Sequence, residues 1–294
     1  MTEPRSVPST PDSRRKSGEQ RTVPFEDGRI VYAEYGSPDG RPVLLFHGTP
    51  GSRRVGRLFE SHARAQDVRL LVPDRPGYGR STPRSDRTLA DTGTFVEAVL
   101  ESAGVSRADV VGFSGGGPHA LALAATHEHL VGEVDVVSAT PPPTLSPSRS
   151  QMHRVLGTLA TTAPTVLRGL FRIQAWAAAR RPPSFVLSGF TTAEEQTAIS
   201  DEAAELLKQD FLEALSSTHG FVTETALFGQ EWGFSLAEID RPVRLWHGDA
   251  DETVPVEGAR AMADAIPDAR LEVDADGGHV TTLLRRCDRL LDRS

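Results

Sequence analysis

The chain has 294 residues, 38% of them hydrophobic, with 26 glycines and 21 prolines, which suits one large domain or a core with a smaller insertion. Its net charge of −8 argues against nucleic acid as a partner, because phosphate binding needs a basic face. A single cysteine, Cys287, excludes an intrachain disulfide and a cysteine-based metal cluster. No run approaches the roughly 18 apolar residues of a membrane span, so a cytoplasmic protein is expected. Residues 1–21 are polar and carry Pro4, Pro8 and Pro11, the composition of a disordered tail. Arg14-Arg15 is followed by Lys-Ser-Gly-Glu-Gln-Arg where an export signal would need an apolar segment.

From Thr22 to Gly36 the pattern alternates around a Glu26-Asp27-Gly28 turn, predicting a β-hairpin. Val43–Phe46 is a continuous apolar run, the signature of a strand covered on both faces. A helix is expected over Arg53–Ala65, a strand over Val68–Val72, and a helix over Leu89–Ala103 with Phe95, Val96, Val99 and Leu100 on one side. A strand at Ala108–Val111 leads into Gly112-Phe113-Ser114-Gly115-Gly116, a helix follows to about His129, and Val134–Val137 is the next strand. This strand–helix alternation predicts a mostly parallel sheet with helices on both faces. The rhythm breaks at Pro141-Pro142-Pro143. Up to Glu238 the segments Gln151–Leu159, Pro164–Ala179, Glu194–Ser200 and Asp201–Leu215 read as helices, and then Pro242–Trp246 resumes the buried-strand style. A helix at Val256–Ile266, a strand at Ala269–Val273 and a helix at Val280–Leu291 close the chain. The expected organisation is a tail (1–21), a core in two parts (22–140 and 239–294) and a helical cap between them (141–238).

Gly-Phe-Ser-Gly-Gly places a serine on a sharp strand-to-helix turn, where its hydroxyl is free and the flanking glycines avoid clashes. Acyl transfer from Ser114 needs a base, a carboxylate to orient it, and N–H donors for the oxyanion. Among nine histidines His279 is the candidate base, because it follows Gly277-Gly278 directly after the last strand. His47 and His247 sit in His-Gly pairs that support turns. His119 lies near Ser114 in sequence, but its helix points it elsewhere. The acidic loop after the Trp246 strand offers Asp249, Asp251 and Glu252 as the carboxylate. The oxyanion donors should be the N–H groups of Gly115 and Thr49, the latter because Pro50 has no N–H.

The motifs His47-Gly48-Thr49-Pro50-Gly51-Ser52, Asp74-Arg75-Pro76-Gly77-Tyr78-Gly79-Arg80-Ser81, Gly112–Gly116, His247–Pro255 and Gly278-His279 together make the chain, from about Thr22 on, resemble an α/β-hydrolase of the serine esterase type. The resemblance implies an α/β-hydrolase fold with a helical cap, and a chain order of Ser114, Asp251 and His279 for the triad. The family motif thus favours Asp251 as the carboxylate, with Asp249 as runner-up. It also implies Thr49 and Gly115 at the oxyanion hole, and Asp74 and Arg75 as loop-structuring residues. Ser at 114 disfavours the Asp-nucleophile route of related epoxide hydrolases and haloalkane dehalogenases. Ser-Gly-Gly-Gly also departs from the Ser-Trp-Gly of proline iminopeptidases.

The expected activity is hydrolysis of carboxylic esters of small to medium, fairly apolar molecules, with no metal or organic cofactor. The same residues could act on thioester, amide, lactone or C–C bonds or in perhydrolysis, and a non-catalytic ligand-binding homologue is a further alternative. The cap should set substrate choice through Leu156, Leu159, Val166, Leu167, Leu170, Phe171, Ile173 and Trp176. These residues either pack onto the core beneath a solvated arginine face or line an acyl pocket with Arg168 or Arg172 at its mouth. Oligomeric state is left open.

Overall fold

The structure, a computed structural model, describes residues 17–146 and 151–292. The expected disordered tail therefore lies mostly outside the described residues. β1 (Gln20–Phe25) and β2 (Gly28–Gly36) form the predicted hairpin. Its pairing starts earlier than expected: Gln20 and Arg21 lie opposite Ala33 and Tyr32, so they belong to the sheet and not to the tail. Six further strands follow: β3 (Arg41–Phe46), β4 (Val68–Pro73), β5 (Ala108–Phe113), β6 (Val131–Val137), β7 (Val243–Gly248) and β8 (Ala269–Asp274). The sheet order is β1-β2-β4-β3-β5-β6-β7-β8, with β2 antiparallel to β4 and β3 to β8 mutually parallel.

Helices α1 (Glu60–Ala65), α2 (Thr92–Ala103) and α3 (Gly117–Thr126) link the first strands. α10 (Val256–Ala265) and α11 (His279–Leu291) follow β7 and β8. α2, α3 and α10 cover one face of the sheet, meeting Leu44, Phe46 and Val110. α1 and α11 cover the other, meeting Val43, Leu45 and Val111. Adjacent residues of β3 and β5 thus enter opposite cores, which is why these strands read as unbroken apolar runs.

Two boundaries differ for local chemical reasons. The stretch 53–65 is not one helix: Arg53–Phe59 is a tighter 3-10 turn, begun by Ser52 Oγ accepting from Arg54 N, before α1. α2 starts at Thr92 because Asp91 Oδ2 accepts from both Thr88 N and Thr88 Oγ1, which holds 88–91 as a turn.

Between β6 and β7 lie α4 (Gln151–Thr162), α5 (Pro164–Ala178), α6 (Pro183–Leu187), α7 (Ala193–Thr197), α8 (Asp201–Ala214) and α9 (His219–Leu227). α6 and α9 were not expected. α6 is too short to show a period, and the apolar residues of α9 do not gather on one side. Leu156, Leu159, Leu167 and Phe171 pack with Phe211, Phe221 and Tyr78 in a core of their own. Val166, Leu170, Ile173 and Trp176 do not join it. They face solvent, 51–66% exposed, so half of the apolar inventory expected to pack inward or line a pocket points outward. Among the described residues no helix is long and apolar enough to cross a membrane.

Candidate active site

The chain reverses its winding direction between β3 and β5. β3 is followed by β4 on one side, and β5 then returns to the other. Open parallel sheets bind ligands at such a crevice, outside the carboxyl ends of the strands. Ser114 stands there at the end of β5 with φ of +52°, a left-handed conformation that costs a non-glycine residue roughly 1–2 kcal/mol. The glycines make this turn possible. A Cβ on Gly112 would come within 2.7 Å of the Gly116 carbonyl, and one on Gly116 would collide with the carbonyls of Phe46 and His47.

His279, the first residue of α11, reaches back across the strand ends. Its Nε2 is 3.0 Å from Ser114 Oγ, and its Nδ1 is 2.8 Å from Asp251 Oδ2. Asp251 is held in turn: its Oδ1 accepts from Thr253 N at 2.9 Å and Val254 N at 2.8 Å. The runner-up, Asp249, instead accepts from Asp276 N and organises the facing loop. All three members of the chain are buried, Ser114 at 9% exposure and His279 at 4%. Burial pushes the His279 pKa down, but the neighbouring Asp251 carboxylate outweighs it, and the net direction is up from 6.5. Burial alone would raise the Asp251 pKa; the charge and hydrogen bond of His279 hold it below the usual carboxylate value. In the neutral state His279 donates through Nδ1 and accepts the serine proton at Nε2, the polarity a general base needs.

The loop after β3 lies against this serine. A Cβ on Gly48 would stand 3.6 Å from Ser114 Cβ, and one on Gly115 would collide with the Thr49 side chain. Thr49 from one motif and Ser114 with Gly115 from another are therefore brought to one spot, and the Thr49-Pro50 peptide is cis.

Sequence reasoning missed what holds this loop. Glu224, on α9, is fully buried and accepts six hydrogen bonds. Its Oε1 receives Arg75 Nε (2.7 Å), Arg87 Nη2 (2.8 Å) and His119 Nε2 (3.0 Å). Its Oε2 receives Arg75 Nη2 (2.7 Å), Tyr78 OH (2.9 Å) and Thr49 Oγ1 (2.9 Å). Burial would raise its pKa, but Arg75 and His119 drive it well below the carboxylate value, so Glu224 is an anion. Arg75 also donates to the carbonyls of His47 and Gly48, and Asp74 accepts from Arg53 N at 2.7 Å and Arg53 Nη1 at 2.6 Å. Ser52 N and Oγ donate to Asp210 of α8. Carboxylates from α8 and α9 thus clamp both ends of the loop.

A second missed residue is Glu195 on α7. Its Oε1 accepts from Val280 N (2.7 Å), Thr281 N (2.8 Å) and Thr281 Oγ1 (3.2 Å), capping the helix that begins with His279. Its charge also raises the His279 pKa. His47 is buried and held neutral by burial and by Arg75, with its Nδ1 on Gly48 O and its Nε2 accepting from Arg75 N. Burial lowers the His119 pKa to about 4, and its ring bonds Thr92 and Glu224, not Ser114. Arg168 and Arg172 bear on His219, whose pKa falls through burial and then their charges. A concavity of about 580 Å³ lined by Arg41, Arg107, Asp109, Glu133 and Arg241 lies at the opposite, amino-terminal ends of the strands, away from this chemistry.

The chain is 27% identical over 263 residues to the 2-hydroxymuconate semialdehyde hydrolase of Pseudomonas putida, covering 83% of each protein. It is 26% identical to a proline iminopeptidase of Xanthomonas citri, over 89% of this chain and 90% of that protein. It is 28% identical to the pimeloyl-(acyl-carrier protein) methyl ester esterase of Aromatoleum aromaticum, over 82% of this chain and 92% of that protein. The family model for the alpha/beta hydrolase fold matches residues 41–285, which include every strand from β3 on, the serine turn and both residues bonded to the His279 ring. With that match and this sheet order, the chain belongs to the α/β hydrolase fold family.

Proposed function

We propose that the protein is a serine hydrolase that cleaves carboxylic esters of small to medium, fairly apolar molecules. The observation that carries this reading is the continuous chain from Ser114 Oγ through the His279 ring to Asp251, at 3.0 and 2.8 Å. In it His279 takes the Ser114 proton as the oxygen attacks the acyl carbon. The N–H groups of Thr49 and Gly115 hold the oxyanion, and the protonated His279 then gives its proton to the departing alkoxide. A water, deprotonated by the same nitrogen, attacks the acyl-enzyme and releases the acid and free Ser114. Asp251 keeps Nδ1 protonated throughout. Helices α4–α9 act as the cap over this site, and the near-complete burial of Ser114, with the Phe113 ring 5.2 Å from the His279 ring at a 41° tilt, suits a small apolar acyl group.

The Pseudomonas putida relative favours a second reading, in which the same groups cleave a C–C bond next to a carbonyl. A panel of p-nitrophenyl esters of graded acyl length, run beside a thioester, a lactone and a vinylogous diketone, separates the two. The ester reading expects the highest kcat/KM on a short or medium ester and a loss of several orders of magnitude in Ser114→Ala. Turnover that survives Ser114→Ala would remove Ser114 as nucleophile. Preference for the diketone would move the assignment to C–C cleavage.

A further inference from the structure

Seven large apolar side chains are exposed among the described residues, and six of them lie between 155 and 185: Val155, Val166, Leu170, Ile173, Trp176 and Phe185. Four of these line the outer side of α5. Residues 166, 170 and 173 recur at helical spacing, and Trp176 stands one turn further on. Their inner counterparts, Leu167 and Ala178, are buried. A helix whose buried side is already packed has no need of a second apolar side for folding, and exposing one in water is unfavourable.

The charge of the same segment is also one-sided. Between Asp135 and Glu194 the sequence holds no acid and six arginines, at 149, 154, 168, 172, 180 and 181, in a chain whose net charge is −8. Arg154, Arg172, Arg180 and Arg181 are exposed. Arg168 Nη2 bonds Thr165 Oγ1, and Arg180 bonds the Trp176 carbonyl and lies 4.2 Å from the Trp176 ring. Among the described residues none of these arginines pairs with a carboxylate. An apolar ridge with a tryptophan, edged by unpaired arginines, has the composition of a helix that lies in a lipid interface.

We propose that α4 and α5 seat on an anionic phospholipid surface. A second copy of the chain is a poor occupant, because a twofold contact through this face would set arginines against arginines. The acidic excess of the chain as a whole is repelled by the same surface, which favours approach through this acid-free side. The contact would place the cap, and through Glu224 and Glu195 the loops at Ser114, next to a source of apolar esters. The proposal concerns where the protein sits and does not depend on which bond it cleaves.

The structure supplies its own reporter. Of the three tryptophans, Trp176 is 60% exposed while Trp232 and Trp246 are 5% and 6% exposed. With vesicles containing about three-tenths phosphatidylglycerol in phosphatidylcholine, at about 0.05 M salt, the full chain should co-sediment and its emission should shift to the blue. Pure phosphatidylcholine should give neither effect, and about 0.5 M salt should reverse both. Arg180→Gln with Arg181→Gln should weaken binding about thirty-fold, and Ile173→Ser should weaken it about tenfold or more. Trp176→Phe should still sediment but lose the shift. Each variant alters exposed side chains, so unchanged thermal unfolding and unchanged turnover of a water-soluble ester establish that the fold is intact. The proposal fails if wild type neither sediments nor shifts, if neutral vesicles bind equally, or if soluble polyglutamate binds while vesicles do not. It also fails if wild type is a dimer by light scattering that Ile173→Asp dissociates.

Discussion

Replacing Glu224 by Gln tests whether the candidate site rests on a buried anion. The carboxylate is 0% exposed and receives six donors, three on each oxygen. Gln retains one acceptor oxygen and turns the other into an NH2 group that faces three donors. The NH2 group cannot accept, so at least one guanidinium N–H loses its acceptor, and Arg75 and Arg87, 0% and 2% exposed, are left without their counter-ion. Removing one partner of a buried ion pair costs about 3–5 kcal/mol. At about 2–4 °C per kcal/mol for a chain near this size, the midpoint of thermal unfolding should fall by roughly 6–20 °C. Because the Glu224 pKa is held well below the carboxylate range, this stabilisation is complete at neutral pH and is lost only as pH falls through that low value, so the deficit should be the same at pH 6 and pH 8. Calorimetry on both proteins at the two pH values reads this directly. Thr49 Oγ1 donates to the same carboxylate, so kcat on a soluble ester should fall as well, measured below the melting point of the variant. A midpoint within about 2 °C of wild type would refute the charge-paired account of this network.

The base form of His279 is neutral, and its pKa lies above 6.5, so kcat/KM should fall as pH drops through a value above 6.5; a limb at or below 6.5 in the pH–rate profile would contradict the ion pair with Asp251. Asp251→Asn removes that pairing and the tautomer control, and should lower kcat about 10⁴-fold in steady-state assays while leaving probe-free folding intact. Glu195→Gln keeps the acceptor oxygen that caps α11 and removes only the charge. Its midpoint of unfolding should change little, while the acid limb of the pH profile moves down because a group that raised the His279 pKa is gone. Glu195→Ala should in addition cost about 1–2 kcal/mol by chemical denaturation, the cost of losing a helix cap. An acid limb that stays in place in Glu195→Gln would reduce Glu195 to a purely structural role.

The core was legible because its signals are local. The run Val43–Phe46 is apolar since both sheet faces are covered, and Gly112 and Gly116 announce a turn that any side chain would block. The Gly-Phe-Ser-Gly-Gly motif says little alone; five motifs in order at successive strand ends made Ser114, Asp251 and His279 the candidates. Glu224 was illegible for the opposite reason. Its partners Thr49, Arg75 and His119 lie 175, 149 and 105 residues away, and on a helix one acid looks like a solvated surface residue. The available signal was weak: Glu224 is the sole charge in Phe221-Val222-Thr223-Glu224-Thr225-Ala226-Leu227. Glu195 carried no signal, since a first-turn acid next to Glu194 reads as a favourable helix end. The apolar residues of α4 and α5 misled because periodicity identifies an amphipathic helix but does not say whether one side or both meet a neighbour. α5 buries Leu167 and exposes Ile173 from the same run.

The central claim is that Ser114 is an activated nucleophile, and covalent labelling by a fluorophosphonate probe tests it most directly, because only an activated serine reacts rapidly. The account predicts one adduct per chain by intact mass, mapped to Ser114 by peptide sequencing, and slowed by several orders of magnitude in His279→Gln. No adduct on the folded protein, an adduct on another serine, or labelling at the wild-type rate in His279→Gln would contradict it.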